Sequence, residues 1–163
     1  MNFKTDIFSA FDKEWALLTA GSEEDFNTMT ISWGGMGTLW GRPVATVYVR
    51  PTRYTYEFLE QNEHFTISFF PDEYKDDLAI LGSKSGRDTD KLALTGITPK
   101  FVKNGVGFNE AVKTLVCKKI YHQDLDTEYM PPEVVAGAYA AEPTHRMYIG
   151  QVVEILDAAG VGE

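Results

Sequence analysis

Val44-Ala45-Thr46-Val47-Tyr48-Val49-Arg50-Pro51-Thr52-Arg53-Tyr54-Thr55 is the stretch that decides how the rest of the chain is read. Its first six residues are β-branched or apolar almost throughout, as in a strand buried on both faces. Pro51 has no N–H to give to a sheet and stops the strand. Thr52 is placed to cap a helix whose apolar positions are Tyr54, Phe58 and Leu59. A buried strand therefore delivers two arginines to the start of a helix, where free N–H groups and the positive dipole end attract anions. Guanidinium groups match phosphate oxygens in paired hydrogen bonds, and Thr52 and Thr55 add hydroxyls. Taken alone, the segment fits a phosphate cradle and a capped surface helix with two solvated arginines equally well.

Outward from this connector the chain reads as strands joined by short helices. Upstream, Trp15 to Ala20 is a strand stopped at Gly21, and Ser22 to Asn27 is a polar loop. Thr28 to Trp33 alternates polar and apolar, as a half-buried strand should. Gly34 to Gly37 is predicted as a loop, because consecutive glycines cost a regular element entropy. Downstream, His64 to Phe70 is a strand, and Pro71 and Asp72 open a helix through Leu78 and Leu81. Ser83 to Asp90 is a charged loop, and a short helix from Lys91 to Leu94 ends at Gly96. Val112 to Asp124 and His145 to Leu156 are long strands. Between them lie Pro131-Pro132 and the small-residue stretch Val134 to Ala141. Strands dominate, which favours a mainly β barrel with short helices packed outside over an alternating βαβ fold.

The totals exclude several classes. The chain has 163 residues, a length that suggests one domain over residues 1–163. A net charge of −9 argues against a general nucleic-acid binder, although one local basic pocket is compatible with it. Cys117 is the single cysteine, so no internal disulfide forms, and its apolar strand predicts a buried, inert thiol. The first residues lack the apolar core of a signal peptide, and no apolar run approaches the roughly 18 residues of a membrane span, so the expected location is cytoplasmic. No GxGxxG or GxxxxGK[ST] fingerprint occurs. His122, Asp124, Asp126 and Glu128 read as a solvated acidic stretch, and no metal is expected.

Two further segments carry polar chemistry. Ser83-Lys84-Ser85-Gly86-Arg87-Asp88-Thr89-Asp90-Lys91 supplies three cations, two serines and a glycine, suited to closing on a phosphate or a ring edge, though taken alone a solvated turn before a helix capped by Asp88 is the better reading. Asn27-Thr28-Met29-Thr30-Ile31-Ser32-Trp33 sets donors and acceptors along one strand, a row that suits the polar edge of a planar ring, though on spacing alone an amphipathic edge strand is the better reading.

In their order along the chain, these segments resemble the flavin reductase-like FMN-binding split-barrel family, particularly its flavoredoxin-like branch. The tail His145-Arg146-Met147-Tyr148-Ile149-Gly150-Gln151-Val152 is similar to the family's closing motif. The resemblance implies a six-stranded, Greek-key split barrel that forms a homodimer with FMN near the subunit interface. It implies that Asn27, Thr28, Met29, Thr30 and Ser32 line the flavin ring and ribityl chain. It implies that Arg50, Arg53, Tyr54 and Thr55 hold the phosphate, and that Ser83, Ser85 and Arg87 close over the cofactor. His145 is the implied catalytic residue, near the nicotinamide or flavin edge, although the family's Gly-Asp-His triplet reads Pro143-Thr144-His145 here. The implied activity is an oxidoreductase that takes electrons from NADH or NADPH through FMN to an acceptor, a redox partner protein among the candidates. On that reading, cations near the ring would stabilise the anionic reduced flavin, with Arg87 and Lys91 as the candidates. The alternatives are a non-enzymatic FMN electron carrier and a barrel that holds another phosphorylated small ligand without redox chemistry.

Overall fold

The computed structural model describes residues 1–158. In chain order the elements are α1 (Ile7–Asp12), β1 (Ala16–Gly21), β2 (Phe26–Ile31), β3 (Gly34–Leu39), β4 (Arg42–Val49), α2 (Tyr54–Gln61), β5 (His64–Phe69), α3 (Lys75–Ser83), β6 (Pro99–Val102), β7 (Gly105–Phe108), β8 (Lys113–Asp124), α4 (Pro132–Gly137) and β9 (Arg146–Asp157). The main sheet runs β2-β1-β5-β8-β9-β4-β3, antiparallel at every step. The non-sequential neighbours β1–β5 and β4–β9 give it a Greek-key character.

This order forces the sheet to close. β2 and β3 are its two edges, yet only Ser32 and Trp33 separate them. Three Cα steps reach at most about 11 Å, whereas six strand spacings in a flat sheet span roughly 29 Å. The sheet must therefore curl into a barrel left split along one side. Six antiparallel steps also point β2 and β3 the same way. The Ser32–Trp33 link thus carries one bent strand from the first edge of the barrel to the last.

Inside the barrel, Leu18, Met29, Ile31, Val47, Phe65, Ile67, Leu115 and Tyr148 form the core. A second layer outside joins Leu17 of β1 to Leu78 and Leu81 of α3 and to Phe108 of β7. β1 is buried on both faces; its residues are apolar apart from Thr19, whose hydroxyl is satisfied by Thr28.

Several expectations need correction. The barrel sheet has seven strands, and becomes six only when β2 and β3 are counted as one bent strand. A separate two-stranded hairpin, β6–β7, escaped notice because Pro99, Gly105 and Gly107 interrupt its four-residue strands. Gly34 to Gly37 is not a loop but part of edge strand β3, paired with Val47 to Val44 of β4. Backbone pairing to a distant partner outweighs the local cost of glycine. Gly34 is also needed there, since a Cβ would lie 2.7 Å from the Phe11 ring. Trp15 precedes its strand with a positive φ of 69°. Thr52 does not cap α2: Arg53 is the N-cap residue, and its side chain makes no capping bond. α1, capped by Asp6, and α4, in the small-residue stretch, complete the helices. No helix among the described residues is long and apolar enough to cross a membrane.

Candidate functional site

The start of β2, the first turn of α2 and the loop after α3 meet around a polar pocket of about 280 Å³. Asn27 and Met29 form its floor, Thr52 to Thr55 one wall, and Gly82 to Gly86 with Lys91 the other. A hollow of about 220 Å³ shares Asn27, Tyr54, Gly86 and Lys91 and continues toward Thr28. Asn27 is buried and donates from Nδ2 to Thr55 Oγ1 at 2.7 Å, tying the strand to the helix start. The loop approaches so closely that a Cβ on Gly86 would lie 2.0 Å from Asn27 Oδ1. Only glycine allows this approach with Asn27 in place.

Two cations define the pocket's electrostatics. Lys91 is 4% exposed, and its ammonium donates to the carbonyls of Leu81 (3.0 Å) and Lys84 (3.2 Å) at the C-terminal end of α3. Burial, with the nearby Arg53 charge added, pulls its pKa down to about 8. Arg53 is half-buried, and its one side-chain bond among the described residues is a long 3.4 Å contact to Gly82 O. Burial lowers its pKa too, yet arginine stays charged in proteins. Neither cation has a carboxylate partner among the described residues. The free N–H groups of the helix start add a third source of positive potential.

A different cluster surrounds His145. Its Nδ1 lies 2.7 Å from the Tyr139 hydroxyl, and its ring centroid is 5.3 Å from that of Trp33. The Arg50 guanidinium sits 5.2 Å from the Tyr139 ring centroid and donates to Pro143 O (2.9 Å) and Ala138 O (3.1 Å). His145 is buried, and burial, reinforced by the Arg50 charge, lowers its pKa to about 4. β2 runs between the two places: Asn27 and Trp33 are six residues apart, roughly 20 Å along an extended strand. The turn holding Arg50 and Arg53 joins them at the other side.

Residues 8–162 match the flavin reductase like domain family. The chain belongs to this family. Its fold is shared by solved structures of low sequence identity. These include the FMN-binding protein from Thermus thermophilus with bound 1-cyclohex-2-enone, 21% identical over 100% of this chain and 80% of that chain, with a TM-score of 0.72. They include flavoredoxin from Methanosarcina acetivorans, 18% identical over 96% and 74% of the two chains, TM-score 0.69. They also include the styrene monooxygenase flavin reductase from Pseudomonas putida S12, 18% identical over 90% and 80%, TM-score 0.66. A sequence search of curated proteins gave no match.

In this flavin reductase-like domain, the pocket brings together Asn27, Met29, Arg53, Tyr54, Thr55, Ser83 and Ser85 from three distant segments. The other sequence candidates stand elsewhere or are already engaged. Thr28 bonds Thr19 Oγ1 and Leu18 O, and Thr30 donates to Leu78 O at 2.5 Å, so both hydroxyls tie β2 to its neighbours. Ser32 lies in the link between β2 and β3. Arg50 points into the His145 cluster and not into the pocket. Arg87 pairs with Glu57 at 3.2 Å and covers the Tyr54 ring, clamping the loop onto α2. Ser83 donates to Ile80 O, and Ser85 accepts from the backbone N–H of Arg87.

Gly82 and Tyr139 were not among the sequence candidates, whereas Gly86 and Trp33 lay within candidate segments without being given a role of their own. Gly86 had a signal, since it sits in a loop of polar and charged residues; Gly82, inside α3 after an apolar run, and Tyr139, alone among small residues, had almost none. The acidic stretch is spent on structure: Asp124 takes two bonds from Arg146, and Asp126 caps the turn Thr127–Tyr129. Cys117 is fully buried, and burial pushes its thiol pKa up, which keeps it unreactive. A larger apolar hollow of about 420 Å³, lined by Phe3, Met36, Val44 and Ile155 among others, contains no ionisable side chain and offers no chemistry.

Proposed function

We propose that this domain binds FMN with its phosphate in the Arg53–Lys91 pocket and acts as an oxidoreductase, taking electrons from NADH or NADPH and passing them to an acceptor. One observation carries the reading: two cations, one of them almost wholly buried, share a pocket at a helix start with no carboxylate partner among the described residues to neutralise them. Holding unpaired charge out of water is costly, and a phosphate dianion relieves that cost. The donor set fits the group. Arg53 offers a fork of N–H donors, Lys91 a point charge, and Tyr54 and Thr55 the free N–H groups of a helix start. Met29 supplies an apolar surface on the floor, and Arg87 holds the 83–90 loop over Tyr54.

FMN, when bound, supplies the redox chemistry. The chain's own task is to bind, orient and shield. Asn27 fixes the strand against the helix, so the pocket floor does not move relative to the phosphate cations. His145 is neutral at physiological pH, so its contribution is a hydrogen bond rather than a titrating proton. The flavin reductase and FMN-binding proteins that share the fold support the assignment. By the same family analogy we read residues 1–163 as one domain, the protein as a cytoplasmic homodimer, and a redox partner protein as one class of acceptor.

The direct test is titration of purified protein with FMN and with riboflavin. FMN is expected to bind and give the yellow absorbance of a flavoprotein. Arg53→Ala is expected to weaken FMN roughly a hundredfold, the range for losing a charge-assisted pair, and to leave riboflavin almost unchanged. Equal loss for both ligands removes the phosphate assignment. Anaerobic addition of NADH or NADPH to the loaded protein is expected to bleach the flavin. No bleaching with either nucleotide leaves the electron-carrier role in place of the reductase.

A further inference from the structure

The segment between β8 and β9, residues 125–145, crosses back to the turn after β4 and carries Tyr139 against His145. We propose that Tyr139 is a positioning residue that fixes the tautomer of His145, so that the imidazole presents an Nε2–H donor to an uncharged acceptor oxygen of the ligand beside Trp33. The identity of that ligand rests on the flavin reading above; the tautomer rests on the protein alone.

The Tyr139 hydroxyl has one partner among the described residues, His145 Nδ1 at 2.7 Å. Donation to Nδ1 is the arrangement that uses the phenolic proton; the reverse leaves it without an acceptor. Arg50 keeps this geometry from relaxing. Its guanidinium lies on the Tyr139 ring and is anchored by Ala138 O and Pro143 O, so one side chain grips the segment on both sides of the phenol. The groups facing the imidazole are the Arg50 cation from the turn after β4, the Tyr139 phenol from the crossing segment and the uncharged Trp33 ring from the β2–β3 link. No carboxylate pairs with the imidazole among the described residues. Burial keeps the ring neutral, and the Arg50 cation acts in the same direction with no carboxylate opposite it among the described residues.

A neutral imidazole carries one N–H. With Nδ1 accepting from Tyr139, that proton sits on Nε2. Every buried side-chain nitrogen or oxygen among the described residues has a partner. Nε2 has none among the described residues, and it is not one of the buried atoms, so it is open to a ligand close to the half-exposed Trp33. The chain thus holds a fixed donor of constant charge next to an aromatic surface. A carbonyl or carboxamide oxygen on a planar ring has the chemistry to match it. A carboxylate or phosphate gains no ion pair from a neutral imidazole.

Long-range ¹H–¹⁵N correlation spectra of the ligand-free protein read the tautomer directly. The wild-type His145 is expected to show the Nε2–H form alone from pH 5.5 to 9. Tyr139→Phe keeps the ring under Arg50 and removes only the hydroxyl. It is expected to give a mixture of tautomers, with the His145 midpoint rising by about one pH unit as the lone pair of Nδ1 is freed. In the FMN-loaded protein the same variant is expected to slow pyridine-nucleotide oxidation several-fold with FMN still bound. An Nδ1–H form in the wild type, or an unchanged tautomer in Tyr139→Phe, overturns the inference. The wild-type spectrum decides alone if the variant does not fold. Failure to take up FMN sinks the flavin reading and leaves the tautomer result standing.

Discussion

Arg50 and Arg53 leave the same turn three residues apart, and they enter opposite kinds of surroundings. Arg50 is anchored by the protein: two carbonyls and an aromatic face hold it. Arg53 has one long contact to a carbonyl and shares its pocket with buried Lys91. The first arginine builds a wall and the second waits for a partner. Unspent hydrogen-bonding capacity, more than charge itself, marks the binding surface.

The strongest way to break this comparison is Lys91→Met. It removes the buried ammonium and keeps much of the side-chain volume. FMN affinity is expected to fall roughly a hundredfold. The melting temperature of the ligand-free protein is expected to move little, because relief of an unpaired buried charge offsets the loss of two carbonyl bonds. Unchanged FMN affinity in a fluorescence titration moves the phosphate away from Lys91.

pH sharpens the same point. The folded-state pKa of Lys91 is lowered to about 8, from an ordinary 10.5. Binding phosphate favours the charged form, so FMN binding takes up a proton above pH 8. Affinity is expected to fall by up to tenfold per unit as pH rises from about 8 toward 10. Folding stability of the ligand-free protein carries the opposite sign. The folded state holds this proton less tightly than the unfolded chain, so the cost of the buried charge is present below pH 8 and is relieved between pH 8 and 10.5. Isothermal titration and thermal melts across this window check both slopes. A slope of the same sign in both measurements contradicts the assignment.

The smallest expected effect belongs to Arg50→Ala. FMN affinity is expected to change by less than threefold, although Arg50 precedes the same helix as Arg53. The loss is expected instead in hydrogen-exchange protection across residues 131–144, which Arg50 pins. A hundredfold loss of FMN affinity returns Arg50 to the phosphate.

The connector Val44 to Thr55 was legible because its physics is local: a β-branched run, a proline and a helix start. So was the face alternation of β2. Which members of that alternation line the pocket was not, because it depends on what lies across each face. Thr28 and Thr30 meet β1 and α3, while Asn27 and Met29 meet the pocket. The same limit separates Arg50 from Arg53, whose spacing says nothing about which carbonyls will come within reach. Gly34 to Gly37 looked like a loop because glycine's preferences are local and its pairing with β4 is not. Tyr139 was hidden for a related reason: its partner is six residues away in sequence, across a bend that only the folded segment makes.

The bent strand formed by β2 and β3 has a consequence for folding fidelity. A slip of β2 by one residue along β1 turns Asn27, Met29 and Ile31 onto the wrong face. Ser32 and Trp33 leave no slack to absorb the slip. The error is passed on to β3 against β4, where Gly34 already lies against Phe11. One mistake in pairing is therefore penalised at both margins of the barrel. This two-residue link acts as the barrel's proofreader, rejecting offset pairings before a site can be assembled on them.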